Sequence, residues 1–82
     1  MIGNLENFKV FYYTAKLGSV TGAANELSIS QPAVSQSLKA LEGSLGTVLF
    51  QRASRGVRLT REGQLLYSYV EKGYEEIEQG VE

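Results

Sequence analysis

The 82-residue sequence contains no cysteine and no histidine, and all nine of its acidic residues are glutamates, so aspartate is missing too. Each absence closes a route. Without cysteine, neither disulfides nor thiolate ligation can supplement the core, and the usual mark of a small secreted scaffold is lacking. Without histidine, a serine nucleophile loses its commonest base, and a metal site would have to be made of glutamates and carbonyl oxygens. A binding module is therefore expected rather than an enzyme, with no catalytic residue, metal or cofactor. No apolar run approaches a bilayer span, and Met1 to Glu6 lacks the basic and apolar regions of a signal peptide, so a cytoplasmic chain with no membrane partner is expected. A hydrophobic content of 43% suits one small domain, but a chain this short buries a modest share of its surface and gains from a partner subunit.

Charge of one sign is scarce in each half. Residues 1–61 hold Lys9, Lys16, Lys39, Arg52, Arg55, Arg58 and Arg61 against Glu6, Glu26 and Glu42, a net of +4. The remainder sets Lys72 against six glutamates, a net of −5, so the overall −1 conceals two opposed segments. A polyanion-binding front joined to an acidic, solvated helix fits that division.

Three helices are legible in the front. Leu5, Phe8, Tyr12 and Ala15 recur at helical spacing, with Phe11 widening the stripe, and Gly18 stands where a C-cap glycine belongs. Ser19 is a good N-cap for a short second helix with Val20, Ala23, Ala24 and Leu27 on one face, ending near Ser28; the paired alanines permit close helix approach. Ile29 is expected to plug the core beneath a tight turn. Ser30 caps the third helix, Pro32 falls in its first turn, and Val34, Leu38, Leu41 and Leu45 form a stripe that stops at Gly46. Two helices so joined match a helix-turn-helix pattern.

Residues 48–59 read as two short strands around a turn at Ser54 to Gly56, a wing with Val57 and Leu59 inward and Arg58 outward. Thr60 can cap a last helix that carries Glu62 in its first turn and runs to the C-terminus. In that helix Tyr67, Val70, Tyr74, Ile77 and Val81 repeat at three, four, three and four, a short heptad-like seam for a second helix. Packing back onto the same domain is the other use of such a seam. Gly73 and Gly80 each weaken an isolated helix by about 1 kcal/mol, which favours a partner over a bare projecting rod. Leu65 and Leu66 are expected to anchor the helix to its own domain.

On the third helix, Pro32, Ser35, Gln36 and Lys39 lie roughly opposite the apolar stripe. An ordinary solvated face has the same pattern, but this one has no acid before Glu42 and suits a major groove. There Gln36 can read adenine through N6 and N7, Ser35 is adaptable and Lys39 favours phosphate. Arg52, Arg55 and Arg58 of the wing, with Arg61 just beyond, fit a phosphate backbone or a minor groove. Charge on an edge strand also guards against aggregation, and the place of the cluster directly after the reading helix favours the nucleic-acid role.

In order along the chain, Ser19-Val-Thr-Gly-Ala-Ala-Asn-Glu-Leu, Ser30-Gln-Pro-Ala-Val-Ser, Leu41-Glu, Leu45-Gly, Leu49-Phe-Gln-Arg and Leu59-Thr-Arg-Glu-Gly resemble the N-terminal domain of LysR-type transcriptional regulators. The resemblance covers nearly the whole chain. It implies a mainly α fold: a three-helix winged helix-turn-helix with a two-stranded wing and a long C-terminal linker helix. The DNA-binding domain would occupy 1–60, with the helix-turn-helix at 20–39 and the wing at 48–59, and the linker or dimerisation helix 61–82. Carried over, the contacts to double-stranded operator DNA fall on Thr21, Gln31, Pro32, Ser35, Gln36, Arg52 and Arg55. Gly22 departs from a position often basic in the family, weakening a phosphate contact, and Gln36 from one often arginine, which shifts the expected base from guanine toward adenine. The resemblance also implies a homodimer through an antiparallel pair of C-terminal helices, and a small-molecule effector only where a larger effector domain follows. A winged-helix protein-interaction module is the alternative function.

Overall fold

The computed structural model describes residues 5–81 as α1 (Leu5–Leu17), α2 (Val20–Leu27), α3 (Gln31–Leu45), β1 (Phe50–Arg52), β2 (Val57–Leu59) and α4 (Arg61–Val81). The outermost parts of the two expected units, residues 1–4 and 82, lie outside the described residues. Hydroxyls set the helix starts. Ser19 Oγ accepts the Gly22 N–H at 2.9 Å, Ser30 Oγ that of Ala33 at 3.2 Å, and Thr60 Oγ1 that of Gly63 at 3.0 Å. Each satisfies an amide that a helix start leaves unpaired. Left-handed caps at Ser28 and Gly46 end α2 and α3.

The core joins Val10 and Phe11 of α1, Ala23 and Ala24 of α2, Val34, Leu38 and Leu41 of α3, and Leu49 ahead of the wing. Thr14 is buried among them, and its hydroxyl donates to the Val10 carbonyl at 2.7 Å, so this buried polar side chain is paired. Asn7 on α1 accepts a hydrogen bond from Ser37 on α3, tying the two helices outside the core.

Several apolar positions differ from expectation. The α1 stripe that enters the core is Val10, Phe11 and Thr14, while Leu5 is 68% exposed. This helix is apolar over most of its circumference and is used on two sides, one against α2 and α3 and the other, through Tyr12, against α4. Ile29 is exposed and does not plug the turn; Leu27 before it and Val34 after it pack on the core instead. Leu45 is exposed because α3 runs one turn past Leu41, the last of its buried residues. Leu65 is exposed as well, and only Leu66 of that pair packs on the core, because α4 turns the side bearing Gly63, Leu66, Tyr67 and Val70 inward.

The wing is an antiparallel pair with Phe50 opposite Leu59, Gln51 opposite Arg58 and Arg52 opposite Val57. It is fastened to the α1–α2 corner, where the Val57 N–H donates to the Gly18 carbonyl at 3.1 Å. Gly56, at φ +75°, lies so close to that carbonyl that any Cβ would collide with it. The other end of the wing meets α4. The Thr60 N–H donates to the Leu49 carbonyl at 2.9 Å and its hydroxyl to the Val48 carbonyl at 2.7 Å. Phe11 closes the junction, its ring 5.5 Å from that of Phe50 and 6.4 Å from that of Tyr67. No helix among the described residues is long and apolar enough to cross a membrane.

Gly63 permits this junction, because a Cβ there would strike the Leu49 carbonyl and crowd Leu59, whereas Gly73, on the same helix, has open space around it. Gly63→Ala is therefore expected to lower stability by about 1–3 kcal/mol through backbone displacement. Gly73→Ala is expected to raise it by up to about 1 kcal/mol through helix propensity. Urea unfolding of the two variants checks this, and equal midpoints would contradict the close approach.

Candidate nucleic-acid interface

With Val34, Leu38 and Leu41 of α3 turned into the core, the opposite side of the helix is fixed outward, and Pro32, Ser35, Gln36 and Lys39 are all exposed on it. Gln31 is exposed at the helix start beside the Ser30 cap. Ala40 and Gly43, also exposed, continue the outer side with a methyl group and a bare backbone. A face that is low, polar and free of acid from Gln31 to Leu41 can approach a rod-like polyanion closely.

The wing stands at the edge of this helix-turn-helix because both its ends are tied down, at Gly18 and at Leu49. Arg52, Arg55 and Arg58 are exposed. Arg58 shares the outward side of the hairpin with Gln51, its cross-strand partner, while Phe50, Val57 and Leu59 lie partly buried. Gln51 was not legible as a surface group from composition, and only the register places it beside Arg58. The contact between Gly56 and Gly18 brings the turn that bears Arg55 to the corner from which α2 starts, two residues before exposed Thr21. The structure thus brings the wing turn to the start of the helix that bears Thr21.

A further residue belongs to this region. Glu42, half-buried in the last turns of α3, accepts the Leu49 N–H at 2.7 Å and the Phe50 N–H at 3.3 Å through Oε2. Nothing in the linear sequence marks it, since its partners lie seven and eight residues on, across a turn.

The expected seam of α4 is divided by the structure. Tyr67 and Tyr74 stack on either part of Tyr12 from α1, at 5.8 Å and 4.4 Å between ring centroids and within 16° of parallel. Lys16 Nζ lies 5.7 Å from the Tyr12 ring centre, a cation over the same cluster. Burial raises the pKa of the Tyr67 phenol above its ordinary value, helped by the nearby Glu71 carboxylate, to which the phenol donates at 3.3 Å. Burial likewise raises that of Tyr74, with smaller contributions from Tyr13, Glu6 and Tyr12. Both phenols are thereby held neutral. Val70 packs at the edge of the core, whereas Ile77 and Val81 are 65% and 81% exposed. Leu5 and Phe8 of α1 face Tyr69, Val70, Gly73, Tyr74 and Ile77 of α4 across an apolar groove of about 290 Å³. Among the described residues no group of three or more acidic side chains is placed to hold a metal ion.

Comparison with known proteins agrees with this geometry. The family described as bacterial regulatory helix-turn-helix protein, lysR family, matches residues 5–64. The chain is 42% identical over 79 residues to the uncharacterized HTH-type transcriptional regulator y4mQ of Sinorhizobium fredii, covering 96% of this chain and 26% of that protein. It is 43% identical over 76 residues to the HTH-type transcriptional regulator GltR of Bacillus subtilis, covering 93% of this chain and 26% of that protein. Among solved structures, BenM_DBD in complex with catB site 1 DNA superposes with a TM-score of 0.87 at 35% identity, over 96% of this chain and 89% of that one. The chain spans about a quarter of the length of the curated relatives it matches.

Proposed function

The chain belongs to the lysR family of bacterial regulatory helix-turn-helix proteins, and from that premise we propose that it is the operator-binding part of a transcriptional regulator. The observation that carries this reading is the outward side of α3, where Pro32, Ser35, Gln36 and Lys39 stand exposed opposite the buried Val34, Leu38 and Leu41, together with the exposed arginines of the wing. The α3 face enters the major groove of duplex DNA. Gln36, one turn into the helix, pairs with adenine N6 and N7; Gln31, Pro32 and Ser35 border it; Lys39 meets phosphate. Thr21 at the start of α2 and Arg52, Arg55 and Arg58 in the wing hold the backbone on either side of the groove, or enter an adjacent minor groove. Residues 1–60 form this DNA-binding unit. The reading also makes the chain a non-enzymatic, cytoplasmic component of transcription control.

Helix α4, in the 61–82 unit, pairs two chains. Support comes from Ile77 and Val81, which are 65% and 81% exposed, and from the apolar groove between α1 and α4 that Ile77 helps to line. Val70 also lines that groove, and Tyr67 and Tyr74 contribute by fixing the helix against Tyr12. A two-fold pair then presents two α3 helices to half-sites about one or more helical turns apart.

Two binding variants distinguish the roles. Gln36→Ala is expected to cost about 1–3 kcal/mol on a preferred duplex and little on random DNA, relaxing one position per half-site. Arg55→Ala is expected to weaken binding to every duplex alike and to lower the slope of log affinity against log salt by about 0.9, one phosphate's worth. Fluorescence anisotropy across a salt series reads both. Equal losses for Gln36→Ala on preferred and random DNA would remove it from base reading, and parallel salt slopes would remove Arg55 from phosphate. Because Ile77 is exposed in the single chain, Ile77→Glu is expected to leave the fold intact while desolvation of its carboxylate prevents pairing. Sedimentation at matched concentration checks this: a variant that dimerises as the wild type does would exclude α4 as the interface.

A further inference from the structure

Glu42 breaks a local rule. A carboxylate in the last turns of a helix lies near the negative end of its dipole, and one on a helix that addresses phosphates adds repulsion. What offsets both costs is the set of amides it gathers. Oε2 takes the N–H groups of Leu49 and Phe50, and the Glu42 main-chain carbonyl takes those of Gly46 at 2.8 Å and Thr47 at 3.2 Å. Four N–H groups from the five residues 46–50 thus converge on one glutamate, two of them on its charged end, where hydrogen bonds are stronger than between neutral groups.

The placement of those bonds links them to the interface. Ser35, Lys39 and Glu42 follow one another at spacings of four and three, so they form a ridge along one edge of α3. Phe50, held at the far end of that ridge, is the first residue of β1, and Arg52 follows two residues later. The carboxylate therefore fastens the wing to the same edge of the helix that carries two of the proposed DNA contacts.

We propose that Glu42 is a positioning residue for duplex recognition, setting the wing against the edge of α3 so that the helix face and the wing arginines meet one duplex as a single preorganised surface. The proposal rests on the DNA-binding reading above. Glu42 does not itself touch DNA. It removes the ordering cost that a loosely hinged wing would incur on binding.

The test uses Glu42→Gln and Glu42→Asp, each with and without Arg55→Ala, on a random-sequence duplex over a salt series, with urea unfolding measured alongside. Glutamine keeps the length and an acceptor oxygen. Aspartate keeps the charge but is one methylene too short to reach both amides. With Glu42→Gln, which removes one negative charge, binding tightens somewhat, and Arg55→Ala still lowers the salt slope by about 0.9. With Glu42→Asp, the slope is already reduced and Arg55→Ala changes it little, because the wing no longer meets the backbone in register. A general loss of stability would not produce that coupling, since it leaves the Arg55 contribution of the folded molecules unchanged. An Arg55 effect of equal size in all three backgrounds overturns the proposal. Where the aspartate variant does not fold, Glu42→Ala is measured in its place, and an Arg55→Ala effect there as large as in the wild type overturns the proposal. A wild-type chain that binds no duplex at all overturns the DNA-binding reading, and this inference with it.

Discussion

Leu49 ties the helical core, α3 and the start of α4 together at one residue. Its side chain is 1% exposed and packs in the core made by the three helices, its N–H is held by the Glu42 carboxylate of α3, and its carbonyl accepts from Thr60 at the start of α4. Gly63 lies against that same carbonyl with no space for a Cβ. One residue thus fixes three directions: the core, the axis of α3 and the departure of α4. The wing begins at the next residue and inherits all three. Its other end is fixed by the same kind of contact, backbone against backbone, at Gly18 and Gly56. Such contacts leave little rotational freedom, because no flexible side chain lies between the elements. An interface that depends on several small features meeting one duplex gains directly from that rigidity.

The opposed charges of the two segments acquire a meaning from this arrangement. The basic residues that are exposed on α3 and the wing belong to residues 1–61, net +4, whereas residues 62–82, which include most of α4, carry a net −5. In the proposed role a duplex is attracted by the first segment and repelled by the second. The overall charge of −1 hides this, and an acidic isoelectric point is no argument against a DNA-binding front. On α4 the tyrosines at 67 and 74 hold the helix against Tyr12, while Ile77 and Val81 reach beyond the domain. The helix packs on its own domain as far as Tyr74 and is largely exposed beyond it.

Local chemistry made most of the fold legible in the sequence. Ser19, Ser30 and Thr60 cap the helices they precede, and Gly18 and Gly46 close α1 and α3, because caps depend on residues within a turn or so of each other. The turn at Ser54 to Gly56 and the inward Val57 and Leu59 followed from alternation alone. The free face of α3 was legible because its opposite side is so regularly apolar. Burial was less legible where a helix is apolar all round: the sequence of α1 could not say that Phe11 and Val10 lead into the core while Leu5 stays out. Ile29, Leu45 and Leu65 are exposed for reasons that depend on where neighbouring elements end, which no window of sequence contains. Glu42 and Gly63 were missed for the same reason. A glutamate near a helix end ordinarily means solvent, and a glycine in a helix ordinarily means weakness; here each answers to the backbone of Leu49 across a turn.

The central claim is that this surface reads duplex DNA as one unit, and that two copies do so together. Selection of duplexes from a random pool by the purified chain tests it most directly, because function, base preference and symmetry appear in one result. The account predicts enrichment of an inverted repeat whose half-sites lie about one or more helical turns apart, with adenine favoured at one position in each half. Recovery of a pool no different from the starting one, or of single half-sites without symmetry, would contradict it.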